Sequence, residues 1–311
     1  MEIKSFDEFY EIKLKPYLAS LEKDSRQKSF WGTVLVVTAI AFVPLIATGL
    51  SNSFGKLSEL MLTLTFGILF LSIYKYTKAN DSYDDDFKEH IIRQIIEFIH
   101  PGLIYKPAVF MNSQYYKNSS LFRGMYSTYY GEDFIEGEYR GVYFKSSELK
   151  VGCNIDVTDH IQDFNGLFIA ARVSSGISGG TYIWSKGEEQ LPQSIADEHF
   201  RMLGMPHVTR VDCDDAEFSQ YYSVYSTNYL ETQEILTDRM LYTITELRKK
   251  INKKMVLSFV SGMCYIGIPF DENLLDSVSG HPGNKEEIKT YFFTILTILT
   301  IIRKLELEKL Q

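Results

Sequence analysis

The sequence predicts an α+β protein, with an N-terminal two-helix transmembrane hairpin followed by a cytosolic domain of mainly antiparallel sheet and packed helices. Two apolar segments lie close together near the N-terminus, at 30–50 and 57–76. From about residue 120, apolar side chains recur at every second position in short runs separated by glycine-rich or polar turns, which is the period of strands. Amphipathic segments with three- and four-residue spacing flank those runs. A chain of 311 residues, 45% hydrophobic and 14% aromatic, has ample apolar surface to offset chain entropy, which excludes a disordered protein.

The first element is an amphipathic segment over 1–29. Ile3, Phe6, Phe9, Tyr10, Leu14, Tyr17, Leu18 and Leu21 fall at helical intervals, interrupted at Pro16. Acids and bases are equal in number there, which favours packing over binding to a lipid surface.

The run FWGTVLVVTAIAFVPLIATGL (30–50) carries no charge and is long enough to cross a hydrocarbon layer about 30 Å thick, with a kink at Pro44. The second run, 57–76, has Glu59 near its start and Lys75 near its end, while Trp31, Tyr74 and Tyr76 suit the interfacial belt. Only SNSFGK (51–56) separates the two, so both long flanks share one side. Lys4, Lys13, Lys15, Lys23, Arg26 and Lys28 before the hairpin, and Lys75 and Lys78 at its end, put both termini in the cytosol. A signal peptide fits badly, because the run is too long and a second apolar run follows at once.

The remainder, 77–311, reads as one cytosolic domain. A polar stretch, TKANDSYDDD (77–86), precedes an amphipathic helix at 86–99 that is stopped by Pro101 and Gly102. Its three aspartates lack the alternating ligands and central glycine of a calcium loop. Strands follow at 134–149, 166–173, 180–186, 208–213 and 221–226, and their short connections favour antiparallel pairing. Thr237 or Asp238 caps a helix at 239–251, MVLSFVSGMCYIGIPF (255–270) forms a hairpin at Ser261-Gly262, and a final helix over about 285–309 packs on the sheet.

A net charge of −8 argues against nucleic acid as a partner, since phosphate binding needs a basic footprint. Cys153, Cys213 and Cys264 match no zinc or redox spacing and read as free, buried thiols. The densest local cluster of titratable groups spans 207–217. On a strand His207 and Cys213 face one side, and with Asp215 they form a weak zinc or hydrolase candidate; the competing reading is a solvated acidic turn. A Cys–His pair drawn from Cys213 or Cys264 with His160, His199 or His207 has no flanking motif. SSGISGG (174–180) lacks the lysine of a phosphate loop and leads into a strand. Lys249, Lys250, Lys253 and Lys254 are candidates for a lipid-sensing patch, against a solvated helix end.

The blocks GEDFIEGEYRGVYFKSSEL (131–149), FNGLFIAARV (164–173), VDCDDAEFSQYYSVYSTNYLETQEILTDRMLYTITEL (211–247) and MVLSFVSGMCYIGIPF (255–270) together resemble a bacterial membrane-protein family known as domain of unknown function 3137. The resemblance implies an N-terminal membrane hairpin and an inner-membrane location, and supplies no catalytic residues. Where that family has an alanine-arginine pair before I-L-T, this chain has Thr232-Gln233-Glu234, and Asp238 stands where a proline follows the threonine. The sequence-based expectation is therefore a non-enzymatic membrane-anchored module with no cofactor or metal, whose partners are the bilayer and another protein or a second copy. The alternatives are a membrane-associated hydrolase or metal-binding enzyme built on 207–217, and a lipid-responsive sensor.

Overall fold

The computed structural model describes residues 5–50, 56–122, 126–152, 164–173, 176–186, 193–205, 207–270, 274–275, 285–305 and 307. Cys153, His160 and most of the inter-helix connection 51–56 lie outside these. The chain divides into two compact units, Met1–Phe98 with Leu275–Phe292, and Ile99–Leu274 with Phe293–Gln311.

The first unit is helical. Ser5 accepts a hydrogen bond from the Glu8 amide at 3.2 Å and so starts α1 (Phe6–Phe9). A π-helical turn, Tyr10–Leu14, leads directly into α2 (Lys15–Leu50). Pro16 therefore does not break the helix. The widened turn sits immediately ahead of it, where a missing N–H and a bulky ring would disturb an α-helical ladder. Phe9, Leu14, Leu18 and Leu21, on the predicted apolar face, are buried, and Phe9 stacks on Phe98 at 4.1 Å.

The second apolar run does not end as a helix near Tyr76. Helix α3 (Lys56–Phe87) continues through a π-helical turn, Lys88–Ile92, into α4 (Arg93–Ile99). The polar stretch 77–86, expected to separate the second apolar run from the next helix, is itself helical, and no glycine or proline interrupts it. Asn80 bonds Asp84 one turn on at 2.9 Å, and Tyr83 and Phe87 are fully buried. The predicted apolar face of 86–99 is intact, with Phe87, Ile91, Ile92, Ile95 and Ile96 buried.

Helices α2 and α3 run antiparallel. Lys28 lies 3.9 Å from Asp84, a methyl group on Gly32 would sit 3.2 Å from the Tyr76 ring, and Phe42 meets Phe66 at 6.2 Å. Both are long and apolar enough to cross a membrane, and α2 continues through Pro44. The hydroxyls of Thr33, Thr38, Thr65 and Ser72 donate to carbonyls one turn back, so these four are satisfied within their own helix. The C-terminal part of the chain completes this unit. Phe292 lies 5.0 Å from Phe6 and 6.2 Å from Phe98, Tyr291 lies 5.6 Å from Phe87, and Lys285 pairs with Asp7 at 2.8 Å.

The second unit is built on one nine-stranded sheet. Its first half comprises β1 (Ile104–Lys106), α5 (Ser113–Asn118), β2 (Thr128–Tyr139), β3 (Val142–Gly152), β4 (Phe164–Arg172), β5 (Gly180–Ser185) and α6 (Gln193–Met202). Its second half comprises β6 (Thr209–Val211), α7 (Phe218–Tyr221), β7 (Tyr222–Ser226), α8 (Tyr229–Ile235), α9 (Asp238–Ile251), β8 (Val256–Val260) and β9 (Met263–Pro269). The last helix, α10 (Lys285–Lys304), contributes its first two turns to the helical unit, not to the sheet as the sequence suggested. The strand order is β1-β2-β3-β4-β9-β8-β5-β7-β6, and every pairing is antiparallel.

Two hairpins set the register. Ser261 and Gly262 both have positive φ, 50° and 73°, the type I′ geometry that matches strand twist. The segment 134–149, read as one strand, is folded back at Arg140 and Gly141, whose φ values are 53° and 80°. Central strands β4 and β9 are buried on both faces, which explains their continuous apolar runs. One face carries an aromatic cluster. Tyr116 of α5 stacks on Phe122 at 4.7 Å and meets Phe168 at 5.6 Å, while Phe200 of α6 stacks on Trp184 at 5.2 Å. On the other face Thr232 of α8 bonds both Thr181 and Ser226 at 2.7 Å, a buried chain of hydroxyls.

Candidate functional site

The sequence cluster 207–217 falls where the edge strand leaves the sheet. Strand β6 pairs with β7 only through Thr209↔Ser226, Arg210↔Tyr225 and Val211↔Val224. Asp212 and Cys213 then diverge, and a fork opens beside Tyr222 and Ser223. The Asp215 carboxylate accepts from the Phe218 amide at 2.9 Å and starts the short helix α7; its carbonyl accepts from the Ser219 amide at 3.0 Å. The Ser219 hydroxyl donates to the Cys213 carbonyl at 3.2 Å, and Glu217 pairs with Lys249 at 2.5 Å. The acidic turn is thus held together by its own side chains.

The fork encloses a cavity of about 140 Å³ lined by Lys186, Arg210, Asp212, Cys213, Ser219 and Tyr222 among others. The Lys186 ammonium donates to the Ser219 carbonyl, and its backbone amide donates to Tyr221 at 2.7 Å, which fixes the lysine at the end of β5. Arg210 and Asp212 approach to 3.6 Å at the mouth. Among the described residues the Tyr222 hydroxyl has no hydrogen-bond partner, although the residue is only 2% exposed. Burial raises its pKa, an effect the nearby Arg248 charge opposes, so Tyr222 stays a phenol.

Of the residues proposed from the sequence, Cys213 lines the cavity, whereas His207, in an exposed turn before β6, and Asp215, which holds the turn ahead of α7, do not. Burial, then the charges of Asp212, Asp214 and Asp215, push the Cys213 thiol up, away from the reactive thiolate. Cys264 is fully buried in β9, and burial pushes its thiol up as well. His199 is buried on α6, its Nε2 3.0 Å from the Ser120 carbonyl. Among the described residues no group of three or more His, Cys, Asp or Glu side chains is arranged to hold a metal ion.

The glycine-rich loop before β5 is occupied from within. The Ser178 hydroxyl and the Gly179 amide donate to the two carboxylate oxygens of Glu231, at 2.5 and 2.8 Å. Those donors hold the Glu231 pKa below the usual carboxylate range. The Gly180 amide donates to Thr227 at 2.7 Å. Lys249 of the basic helix end is shared between Glu217 and Glu246. The sequence did not single out Lys186, Ser219 or Tyr222, because they converge only through the pairing of β5 and β6 with β7.

Residues 162–307 match the model of a family described as "Protein of unknown function (DUF3137)". The DUF3137 match includes β4 to β9, the fork and all of α10; the α2–α3 hairpin and β1 to β3 precede it. A comparison with curated proteins found no match. Among solved structures, one similar chain is described as "crystal structure of the mycobacterial trehalose monomycolate transport factor A, TtfA". It has a TM-score of 0.33 and 10% identity over 70% of this chain and 96% of that one.

Proposed function

We propose that the protein is a membrane-tethered binding module. In this reading the α2–α3 hairpin lies in the bilayer, both long flanks face the cytosol, and the sheet unit engages a protein partner or a second copy of the chain. The observation that carries it is the outward apolar surface of the hairpin, with Val36, Val37, Ile40 and Val43 on α2 and Leu64, Phe66, Phe70 and Leu71 on α3 all exposed. In water such a surface costs about 25 cal/mol for each Å² left uncovered. A bilayer removes that cost, and the lysines and arginines clustered at the open end of the hairpin set its orientation.

Binding rather than catalysis fits the sheet unit. The fork, at about 140 Å³, is smaller than the roughly 300–1,000 Å³ of sites that enclose a substrate-sized molecule. Tyr229 and Leu230 on α8 and Tyr242 on α9 offer exposed apolar side chains of the kind that anchor an interface. A tether concentrates partners in the membrane plane, so a modest interface suffices.

The test is crosslinking of the full chain in native membranes, followed by identification of the conjugates, beside alkaline carbonate extraction. The expected result is a chain that resists extraction and crosslinks to one defined protein or to itself, with that conjugate lost in Leu230→Asp. Release by carbonate would overturn the tether, and conjugates unchanged by Leu230→Asp would overturn the binding surface.

A further inference from the structure

We infer that a cleft between α2 and α3, at the end of their apolar stretches, holds the phosphate of an anionic phospholipid. The inference rests on the hairpin lying in a bilayer. The cleft is a cavity of about 240 Å³ lined by Gln27, Lys75, Lys78, Ala79 and Ser82. Lys75, Lys78, Ala79 and Ser82 are spaced three, one and three residues apart on α3, which puts them on one helix face, with Gln27 supplied by α2. The lining thus offers two ammonium groups, an amide and a hydroxyl, a donor set suited to phosphate oxygens.

The height of the cleft along the hairpin specifies a lipid. On α3 no charge occurs from Leu60 to Tyr74, and Lys75 is the first one met; on α2 no charge occurs from Ser29 to Leu50, and Lys28 is the last before it. The contact of Gly32 with Tyr76 places those two limits side by side. The uncharged stretch 29–50 is about 33 Å long at 1.5 Å per residue, which matches a hydrocarbon core. The cleft therefore lies at the depth of the headgroups, where basic pockets between helices bind anionic lipids.

The nearby charges leave these two lysines available. Asp84 is already engaged by Lys28 at 3.9 Å and by Asn80 at 2.9 Å, and Lys28 also lies 5.1 Å from the Tyr83 ring centre. Among the described residues neither Lys75 nor Lys78 takes part in an ion pair. Both lysines line a space with room for a phosphate and its attached glycerol.

The experiment uses the delipidated full chain in detergent, titrated with phosphatidylglycerol or phosphatidylcholine and read by native mass spectrometry. The expected result is one retained phosphatidylglycerol, preferred about tenfold over phosphatidylcholine. Lys75→Gln/Lys78→Gln should abolish the preference, Lys75→Arg/Lys78→Arg should keep it, and Lys253→Gln/Lys254→Gln outside the hairpin should leave it unchanged. Equal retention of the two lipids, or a preference that survives the glutamine pair, would overturn the inference. Displacement of the lipid by millimolar inorganic phosphate would assign the cleft to the free anion and overturn it too. Carbonate extraction separates the two readings: a chain that stays inserted without the preference refutes only the lipid site, and a chain that is extracted refutes the tether.

Discussion

Val37, Ile40 and Phe70 of the hairpin are 60%, 68% and 69% exposed, whereas Phe144, Phe168 and Ile169 of the sheet are 0% exposed. Similar side chains are turned outward in one region and inward in the other. In the sheet unit, burial between strands and helices is what drives folding. In the hairpin the backbone is satisfied inside each helix, and the side chains are left to the surroundings. The same substitution should therefore have opposite consequences in the two regions.

The largest expected effect is in the core. Phe168→Ala, which removes a ring at the centre of the aromatic cluster, should cost about 3–5 kcal/mol, read as a lowered melting temperature of the full chain in detergent. Val37→Arg should leave the fold of the sheet unit intact but oppose insertion by about 2.5–3.5 kcal/mol, read as carbonate-extractable protein. If Val37→Arg instead improves solubility without changing extraction, the two regions face the same solvent and the contrast fails.

Smaller effects test the polar joints. Thr232→Val takes the Thr181 hydroxyl's partner away, while Ser226 keeps the Asn228 amide, and should cost about 1–3 kcal/mol in chemical denaturation. Glu231→Gln tests the loop clamp through pH. The Glu231 pKa is lower in the folded protein than the ordinary 4.5, so its contribution is present above that value and is lost as pH falls through the folded pKa. Wild type should be the more stable by about 1 kcal/mol or less at pH 7, and the gap should close in strong acid. The smallest change is a gain: Ser261→Gly relieves a positive φ of 50° in the β8–β9 turn and should add up to about 1 kcal/mol.

The hairpin signal at Ser261-Gly262, the cap at Thr237 and the runs that became β4 to β9 were legible because each is local: a turn dipeptide, a hydroxyl three residues before its amide, a period of two. Arg140-Gly141 was not, since arginine is no turn residue and the alternation continues across it. The polar stretch 77–86 misled for the opposite reason; its aspartates suggest a break, but Tyr83 and Phe87 fix it as helix through packing with residues far away in sequence. The candidate site was legible as a cluster of residues and not as a geometry. Which strand β6 joins, and where it leaves, decides that Cys213 lines one cavity with Lys186 and Tyr222 while His207 does not.

The helical unit draws on both ends of the chain, and this bears on its synthesis. The hairpin has emerged from the ribosome long before Tyr291 and Phe292 exist, yet those rings cover Phe6, Phe87 and Phe98. About 190 residues must be translated in between, roughly 10–40 s at 5–20 residues per second. During that interval the aromatic faces of α1, α3 and α4 lack those partners. The last helix thus closes the first unit late, after every strand of the sheet has been made.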